Sequence, residues 1–409
     1  MRVVVINTGT ELLLGDVINT HLNFIAQEIF PLGLRIDRQI AVPDGAPIRD
    51  ALAESLEADI VFVTGGLGPT TDDITREITA ELLGLQLHHN PVVMEAISKR
   101  AARRGFRLTD RVARQAEVPE GATVLPNDHG SAPGLYLSAE AVLETKRPHI
   151  FLLPGPPREL HPMFKDSVLP VLRDLAPRQA GTGRRMYRIA GMGESLVEEA
   201  IGTQLLDVPG LELGYCARPG EVDLRIIGDP SALARADKII TDGLGTAVFS
   251  SDGGNLEETV VRLLTGRQQT LAIAESCTGG YLAHRITNVP GASAVLLAGY
   301  VTYSNEAKSA MLGVDPRLIS EHGAVSEPVA LALAEGARAG AKTDFALATT
   351  GIAGPSGGTE PKPVGTVFIA LAARNQPTRV ERRFFPDDRP TFKELTTQTA
   401  LEMLRRSLL

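Results

Sequence analysis

The run Val3-Val4-Val5-Ile6 is apolar on both faces, is followed by the glycine-bearing loop Thr8-Gly9-Thr10-Glu11-Leu12-Leu13-Leu14-Gly15-Asp16, and leads to Leu22, Ile25, Ala26 and Ile29 at helical spacing. A strand without a polar face has to be covered on both sides, which helices alternating with a parallel sheet accomplish. The pattern returns, with strands expected over residues 35–42, 59–64 and 149–153, each stopping at a Gly- or Pro-bearing turn. Residues 1–170 therefore read as a doubly wound α/β domain, with Asn19 capping its first long helix. Ligands of such sheets bind at the carboxyl ends of the strands.

One core does not account for 409 residues. Over 183–250 the order becomes strand 186–190, helix 194–206, a hairpin turning at Pro219-Gly220, helix 231–244 and strand 247–250. This β-α-β-β-α-β order predicts a small split-βαβ domain, KH-like or ferredoxin-like. It is neither strongly basic nor aromatic, so a structural or interface role is expected over RNA binding. A third α/β domain is expected over 255–409, opening with a helix on which Leu256, Thr259, Val260, Leu263 and Leu264 share a face, with strands at 270–274, 295–302, 344–349 and 365–372.

The apolar stretches are too short and interrupted for a membrane span. A net charge of −8 argues against a broad nucleic-acid surface, although a local basic patch is compatible with it. Cys216 and Cys277 are far apart and lack metal-ligand spacing, which speaks against a disulfide framework or a zinc site. No targeting segment is recognisable, and a cytoplasmic protein acting on small molecules is expected.

Chemistry-bearing residues cluster at strand ends. In Ala274-Glu275-Ser276-Cys277-Thr278-Gly279-Gly280 a serine stands where a strand stops and a helix starts. Backbone N–H groups there can hold an oxyanion or phosphate, with Thr278, Gly279 and Gly280 at the ligand. The same residues also make an ordinary cap and tight turn. In Gly299-Tyr300-Val301-Thr302-Tyr303-Ser304-Asn305-Glu306-Ala307-Lys308 a strand delivers Tyr303 and the next helical turn Lys308. A buried lysine of lowered pKa can take a serine proton, whereas most lysines are solvated surface charges. Thr349-Thr350-Gly351-Ile352-Ala353-Gly354-Pro355-Ser356-Gly357-Gly358, with Lys362 beyond it, suits a loop around a phosphate or sugar, or a structural turn. Cys277 is a rival thiolate nucleophile, a small buried cysteine being the commoner role.

The N-terminal segment Thr64-Gly65-Gly66-Leu67-Gly68-Pro69-Thr70-Thr71-Asp72-Asp73-Ile74-Thr75 joins a strand to a helix. Its N–H groups can cradle a phosphate while Asp72 and Asp73 hold a bridging cation. The bland alternative gives both carboxylates to the helix N-terminus.

The three C-terminal segments, together with His322-Gly323-Ala324-Val325-Ser326-Glu327-Pro328, resemble the nicotinamide-nucleotide amidase domain of the CinA (competence/damage-inducible) family. The resemblance implies hydrolysis of nicotinamide mononucleotide (NMN) to nicotinic acid mononucleotide and ammonia without a cofactor. Ser276 is then the acylated nucleophile, Lys308 its base, and Tyr303 and Thr350 are supporting hydrogen-bonding groups. Thr278, Gly279, Gly280, Gly351, Gly354 and Lys362 would line the substrate. The N-terminal loop resembles the molybdopterin-binding fold, and Val42-Pro43-Asp44 and Leu153-Pro154-Gly155-Pro156-Pro157-Arg158-Glu159-Leu160 are similar to its CinA version. This implies cleavage of ADP-ribose to AMP and ribose 5-phosphate with a divalent metal (magnesium, manganese or cobalt) and potassium. Asp44, Asp73 and Asp72 would be the metal carboxylates, with Gly65, Gly66, Gly68 and Thr70 at the phosphates. His21 stands where the family pattern leads one to expect asparagine, which matters if that side chain touches nucleotide. The family resemblance also implies a homodimer. Two other readings stay open: a molybdopterin-handling transferase, and a non-catalytic partner in DNA uptake or repair.

Overall fold

The computed structural model describes residues 1–105, 107–139, 148–176 and 182–409. The chain divides into two compact units, Met1–Ala180 and Gly181–Leu409.

In the first unit, strands β1 (Val3–Thr8), β2 (Ile36–Val42) and β3 (Ile60–Thr64) are followed by a separate ribbon of β4 (Leu87–His89) and β5 (Glu117–Pro119), then by β6 (Thr123–Leu125), β7 (Gly134–Leu137) and β8 (His149–Leu153). The main sheet has the order β2-β1-β3-β8-β7-β6. Its first four strands are parallel, but β7 runs antiparallel to both β8 and β6, so the sheet is mixed where a parallel one was expected. The extra strands span only four and three residues, too few for an alternating pattern to register. All of β1 and β3 is buried. Val3, Val5 and Phe62 meet Ile25, Ile29 and Phe164 on one face, while Val4, Ile6 and Val63 meet Leu52 and Ile97 on the other. The helix His21–Ile29 starts one residue later than an Asn19 cap requires; Thr20 occupies the cap position, and Asn19 Oδ1 still accepts from the His21 N–H at 3.1 Å.

The second unit opens with β9 (Gly183–Ala190), β10 (Glu212–Arg218), β11 (Glu221–Gly228) and β12 (Val248–Ser250), arranged β10-β11-β9-β12 with every pair antiparallel. This is the expected split-βαβ, its hairpin closing over Pro219-Gly220 where Gly220 takes a positive φ of 76°. Helices Glu194–Leu206 and Pro230–Leu244 supply Val197, Ile201, Leu205, Ala236 and Ile240 to its core.

A second sheet, β14-β13-β15-β16-β17, follows in the same unit, with β13 (Leu271–Glu275), β14 (Leu296–Val301) and β15 (Phe345–Gly351) parallel and β16 (Thr366–Ala373) and β17 (Arg379–Phe384) antiparallel. Strand β17, rich in charge, was not anticipated; edge strands carry charge to deter further pairing, which obscures the apolar alternation. Every residue of β13 is buried. Ala272, Ala274, Ala346 and Ala348 receive the helix Glu327–Ala341, and Ile273 and Leu347 pack with Val260, Leu264, Leu401 and Leu404 on the opposite face.

Ala190 and Phe249 of the split-βαβ join this second core, but much of the seam is polar. Arg188 donates to Asn255 Oδ1 at 2.6 Å, and Gln398 donates to Glu221 at 2.7 Å while accepting from Arg285 at 2.6 Å. Arg405 donates to the Thr246 carbonyl at 2.6 Å. Among the described residues no helix is long and apolar enough to cross a membrane.

Candidate active sites

Ser276 follows the last residue of β13, with its N–H donating to the Thr349 carbonyl of β15 at 3.0 Å. Lys308, in the helix Asn305–Leu312, reaches it from beyond β14. The Lys308 side chain is 1% exposed, and Nζ lies 3.1 Å from Ser276 Oγ, 2.9 Å from the Thr302 carbonyl and 3.3 Å from that of Tyr303. Burial lowers its pKa below the ordinary lysine value. A buried, uncompensated ammonium costs several kcal/mol, so the neutral amine gains population here. The adjacent Cys277 is no rival: it is buried, and burial raises its thiol to about 12, far from a thiolate.

The start of the helix Tyr281–Thr287 itself does not present a free anion site. Glu275, 1% exposed, accepts through its carboxylate from the N–H groups of Gly280 (3.0 Å), Leu282 (3.0 Å) and Ala283 (2.8 Å). Thr278 is buried, with its hydroxyl 2.8 Å from that of Thr349. Gly279 is the open position of the three. The N–H groups of Cys277 and Thr278 make no backbone–backbone hydrogen bond among the described residues. Glu275 is a site residue the motif concealed, because its partners come five to eight residues later.

Tyr303 is exposed, and its hydroxyl accepts from Arg389 at 2.9 Å; Arg389 also donates to the Gly354 carbonyl at 2.9 Å. Arg389 thus clips the Tyr303 turn to the glycine-rich loop, a role that nothing in its own sequence neighbourhood signals. Thr350 is fully buried and donates to the Ala324 carbonyl at 2.8 Å, bracing the 322–326 segment. Lys362 donates to the His322 carbonyl at 2.6 Å. A Cβ at Gly351 would press on Val367 and the Thr366 carbonyl, and one at Gly354 on Val364, so both glycines answer to packing within the loop.

In the Met1–Ala180 unit, Asp44, Gly65, Gly66, Gly68, Asp72, Asp73 and Glu159 line one cleft of about 350 Å³ at the carboxyl ends of β1 and β3. Gly65 and Gly66 both have positive φ, and a Cβ on either would collide with Thr8 or Thr75. Asp73 accepts from the N–H of Thr70 at 2.9 Å and from its hydroxyl. Thr70 is held by the aspartate, and Asp73 does not cap the helix Thr75–Leu83, whose cap residue is Ile74. Asp44 accepts from the Thr10 N–H at 3.1 Å. Among the described residues no three His, Cys, Asp or Glu side chains gather closely enough to hold a metal alone. The donors nevertheless suit a hard cation: the Thr8 hydroxyl and Gln115 Oε1, both lining the cleft, are buried without a hydrogen-bond partner, beside the carboxylates.

His21 is buried behind this cleft, its Nε2 2.5 Å from the Gly155 carbonyl, and burial lowers its pKa. A neutral imidazole donating through Nε2 supports the 154–156 wall of the cleft without lining it.

Family models match three consecutive stretches: "Probable molybdopterin binding domain" over 4–174, "Damage-inducible protein CinA KH domain" over 184–246 and "CinA C-terminal domain" over 254–408. A CinA-like protein of Akkermansia muciniphila is 46% identical over 402 residues, covering 98% of this chain and 96% of that one. A CinA-like protein of Koribacter versatilis is 40% identical over 417 residues, covering 99% of each. The solved competence/damage inducible protein CihA of Agrobacterium tumefaciens is 41% identical, covers 38% of this chain and 96% of its own, and superposes with a TM-score of 0.36. With identity of this order sustained along the whole length of such relatives, the chain belongs to the CinA family of competence/damage-inducible proteins.

Proposed function

We propose that the protein hydrolyses the carboxamide of NMN to nicotinic acid mononucleotide and ammonia, in pyridine-nucleotide salvage. The observation that carries this reading is the buried Lys308 amine 3.1 Å from the Ser276 hydroxyl. A neutral amine has two N–H groups and one lone pair. The Thr302 and Tyr303 carbonyls accept the N–H groups, which leaves the lone pair for the Ser276 proton. Oγ then bonds to the carboxamide carbon, and the Lys308 ammonium returns the proton to the departing nitrogen as the C–N bond breaks. Water, deprotonated by the same amine, cleaves the acyl-enzyme and restores the serine. The Cys277 and Thr278 N–H groups are the oxyanion donors, and Arg389 and Lys362 the cations for the nucleotide phosphate.

The test is ammonia release from NMN by wild type, Ser276→Ala and Cys277→Ser, each with its fold verified. Loss with Ser276→Ala alone supports the serine amidase; an inactive wild type rejects it.

For the Met1–Ala180 unit the reading is cleavage of the ADP-ribose pyrophosphate. The Gly65–Gly68 backbone N–H groups would bind the phosphates, and Asp44 and Asp73 with Gln115 and Thr8 would hold a cation, which when bound would supply neutralising charge to them. A hard cation of this kind needs only one or two carboxylates when substrate phosphates complete its shell, which fits a cleft without a preformed cage. Copurifying pterin with no ADP-ribose turnover would favour molybdopterin handling in this unit.

A further inference from the structure

Beside the glycine cleft lies a second cavity, of about 520 Å³, between the helix Pro91–Arg104 and residues 124–133. Both cavities are lined by Ser131, and the 127–132 segment forms their common wall. The wall is pinned from within. Asn127 Oδ1 accepts from the N–H groups of His129 (3.1 Å) and Gly130 (2.7 Å), and Nδ2 donates to the Ala132 carbonyl (2.7 Å) and to Glu159 (3.0 Å). Gly130 has no room for a Cβ against the buried Glu159 carboxylate. A ligand whose pyrophosphate lies in the glycine cleft can therefore extend past Ser131 along a fixed path.

The second cavity has an apolar floor, with Val93, Ile97 and Val124, and a basic rim. Lys99, Arg100, Arg103 and Arg104 face a single lining carboxylate, that of Asp128, in a chain whose net charge is −8. Arg100 is aimed by the Asp128 and His129 carbonyls, which accept from its guanidinium. Lys99 pairs with Glu95 at 2.6 Å, but both are exposed, so the pair is weak. Arg103 and Arg104 have no partner among the described residues. Their place in the last helical turn matches the helix dipole, which leaves unexplained why Lys99 and Arg100 flank the same cavity one turn earlier. A neutral nucleoside or sugar arm does not call for four cations; an arm bearing a phosphate does.

We propose that this cavity is the arm subsite of the pyrophosphate cleft and selects organic diphosphates carrying a further phosphate on one ribose. The proposal rests on the reading of the neighbouring cleft as a pyrophosphate site.

The experiment compares ADP-ribose with two analogues bearing one added phosphate, on the adenosine ribose or on the terminal ribose. Equilibrium binding is measured at fixed ionic strength with divalent metal chelated, and hydrolysis separately with metal present. One analogue is expected to bind about tenfold more tightly than ADP-ribose, a typical return for new guanidinium–phosphate bonds. That ratio should fall towards one in the Arg103→Gln/Arg104→Gln double variant, with thermal unfolding as the fold check. Equal affinities in wild type, or a ratio that survives the double substitution, overturns the proposal. So does a rim that binds duplex DNA through the two arginines while the ratio stays near one. Discrimination without hydrolysis sinks only the pyrophosphatase reading, hydrolysis without discrimination sinks only the subsite, and binding of none of the three ligands sinks both.

Discussion

The Glu275 carboxylate accepts the backbone N–H of Leu282, seven residues further along the chain, at 3.0 Å. With its bonds to Gly280 and Ala283 it folds the 276–280 turn back on β13 and fixes the direction in which Ser276 points. Glu275→Gln keeps one acceptor oxygen and loses the charge that complements the helix start. Unfolding free energy should fall by about 1–3 kcal/mol, the range for an impaired buried charged hydrogen bond. The kcat for NMN should fall with it while KM changes little. A destabilised variant with wild-type kcat would separate the turn from the chemistry.

Lys308 gives a pH dependence of defined sign. Its pKa is lowered, and the form proposed to act as base is the neutral amine, so kcat should rise with pH through the lowered value and level off above it. Between that value and the ordinary lysine pKa of 10.5 the unfolded chain binds more protons than the folded one, so stability should also rise with pH across this window. Lys308→Met removes both dependences, with a loss of kcat on the order of 100-fold or more, as expected for a missing general base. A kcat profile flat with pH in wild type would remove Lys308 from the proton path.

Cys277, with its thiol held near 12, should resist iodoacetamide at pH 8 in the native protein and react once urea exposes it. Exposed Cys216 is the internal control, labelled in both states. Mass mapping of the two peptides reads the result, and rapid native labelling of Cys277 would contradict its burial.

Chelation of divalent metal should abolish ADP-ribose cleavage and leave ammonia release from NMN unchanged, since no step proposed at Ser276 uses a metal ion. Asp44→Asn and Asp73→Asn should raise the metal concentration needed for half-maximal pyrophosphatase rate by about tenfold or more, as loss of a charged ligand does. Amide hydrolysis that disappears on chelation would show that the two activities are not chemically independent.

The elements that sequence periodicity placed are the long ones: β1, β3, β8, the helix Glu194–Leu206, and the β10–β11 hairpin marked by Pro219-Gly220. Strands β6 and β7 were invisible because three or four residues cannot display a period, and β17 because Arg379, Glu381, Arg382 and Arg383 obscure its alternation. At the candidate sites, contiguous motifs carried Ser276, Lys308 and the glycine turns. Arg389 could not be found that way, since it lies 86 residues from Tyr303 and meets it only when the final helix folds back. His21 shows the converse limit: its departure from the expected pattern was legible, but its role behind the cleft wall depends on Gly155, 134 residues away.

The polar seam between the split-βαβ and the C-terminal sheet bears on modularity. Gln398 and Arg405 would lose their partners Glu221 and Thr246, and Asn255 its partner Arg188, if the two parts were made as separate polypeptides, yet each is a group that water can solvate. The C-terminal part would then bare Asn255, Gln398 and Arg405 beside the apolar side chains that Ala190 and Phe249 cover. A joint with this share of polar groups leaves a less sticky face on gene fission than an all-apolar one does, so separating the two parts demands fewer compensating changes of surface.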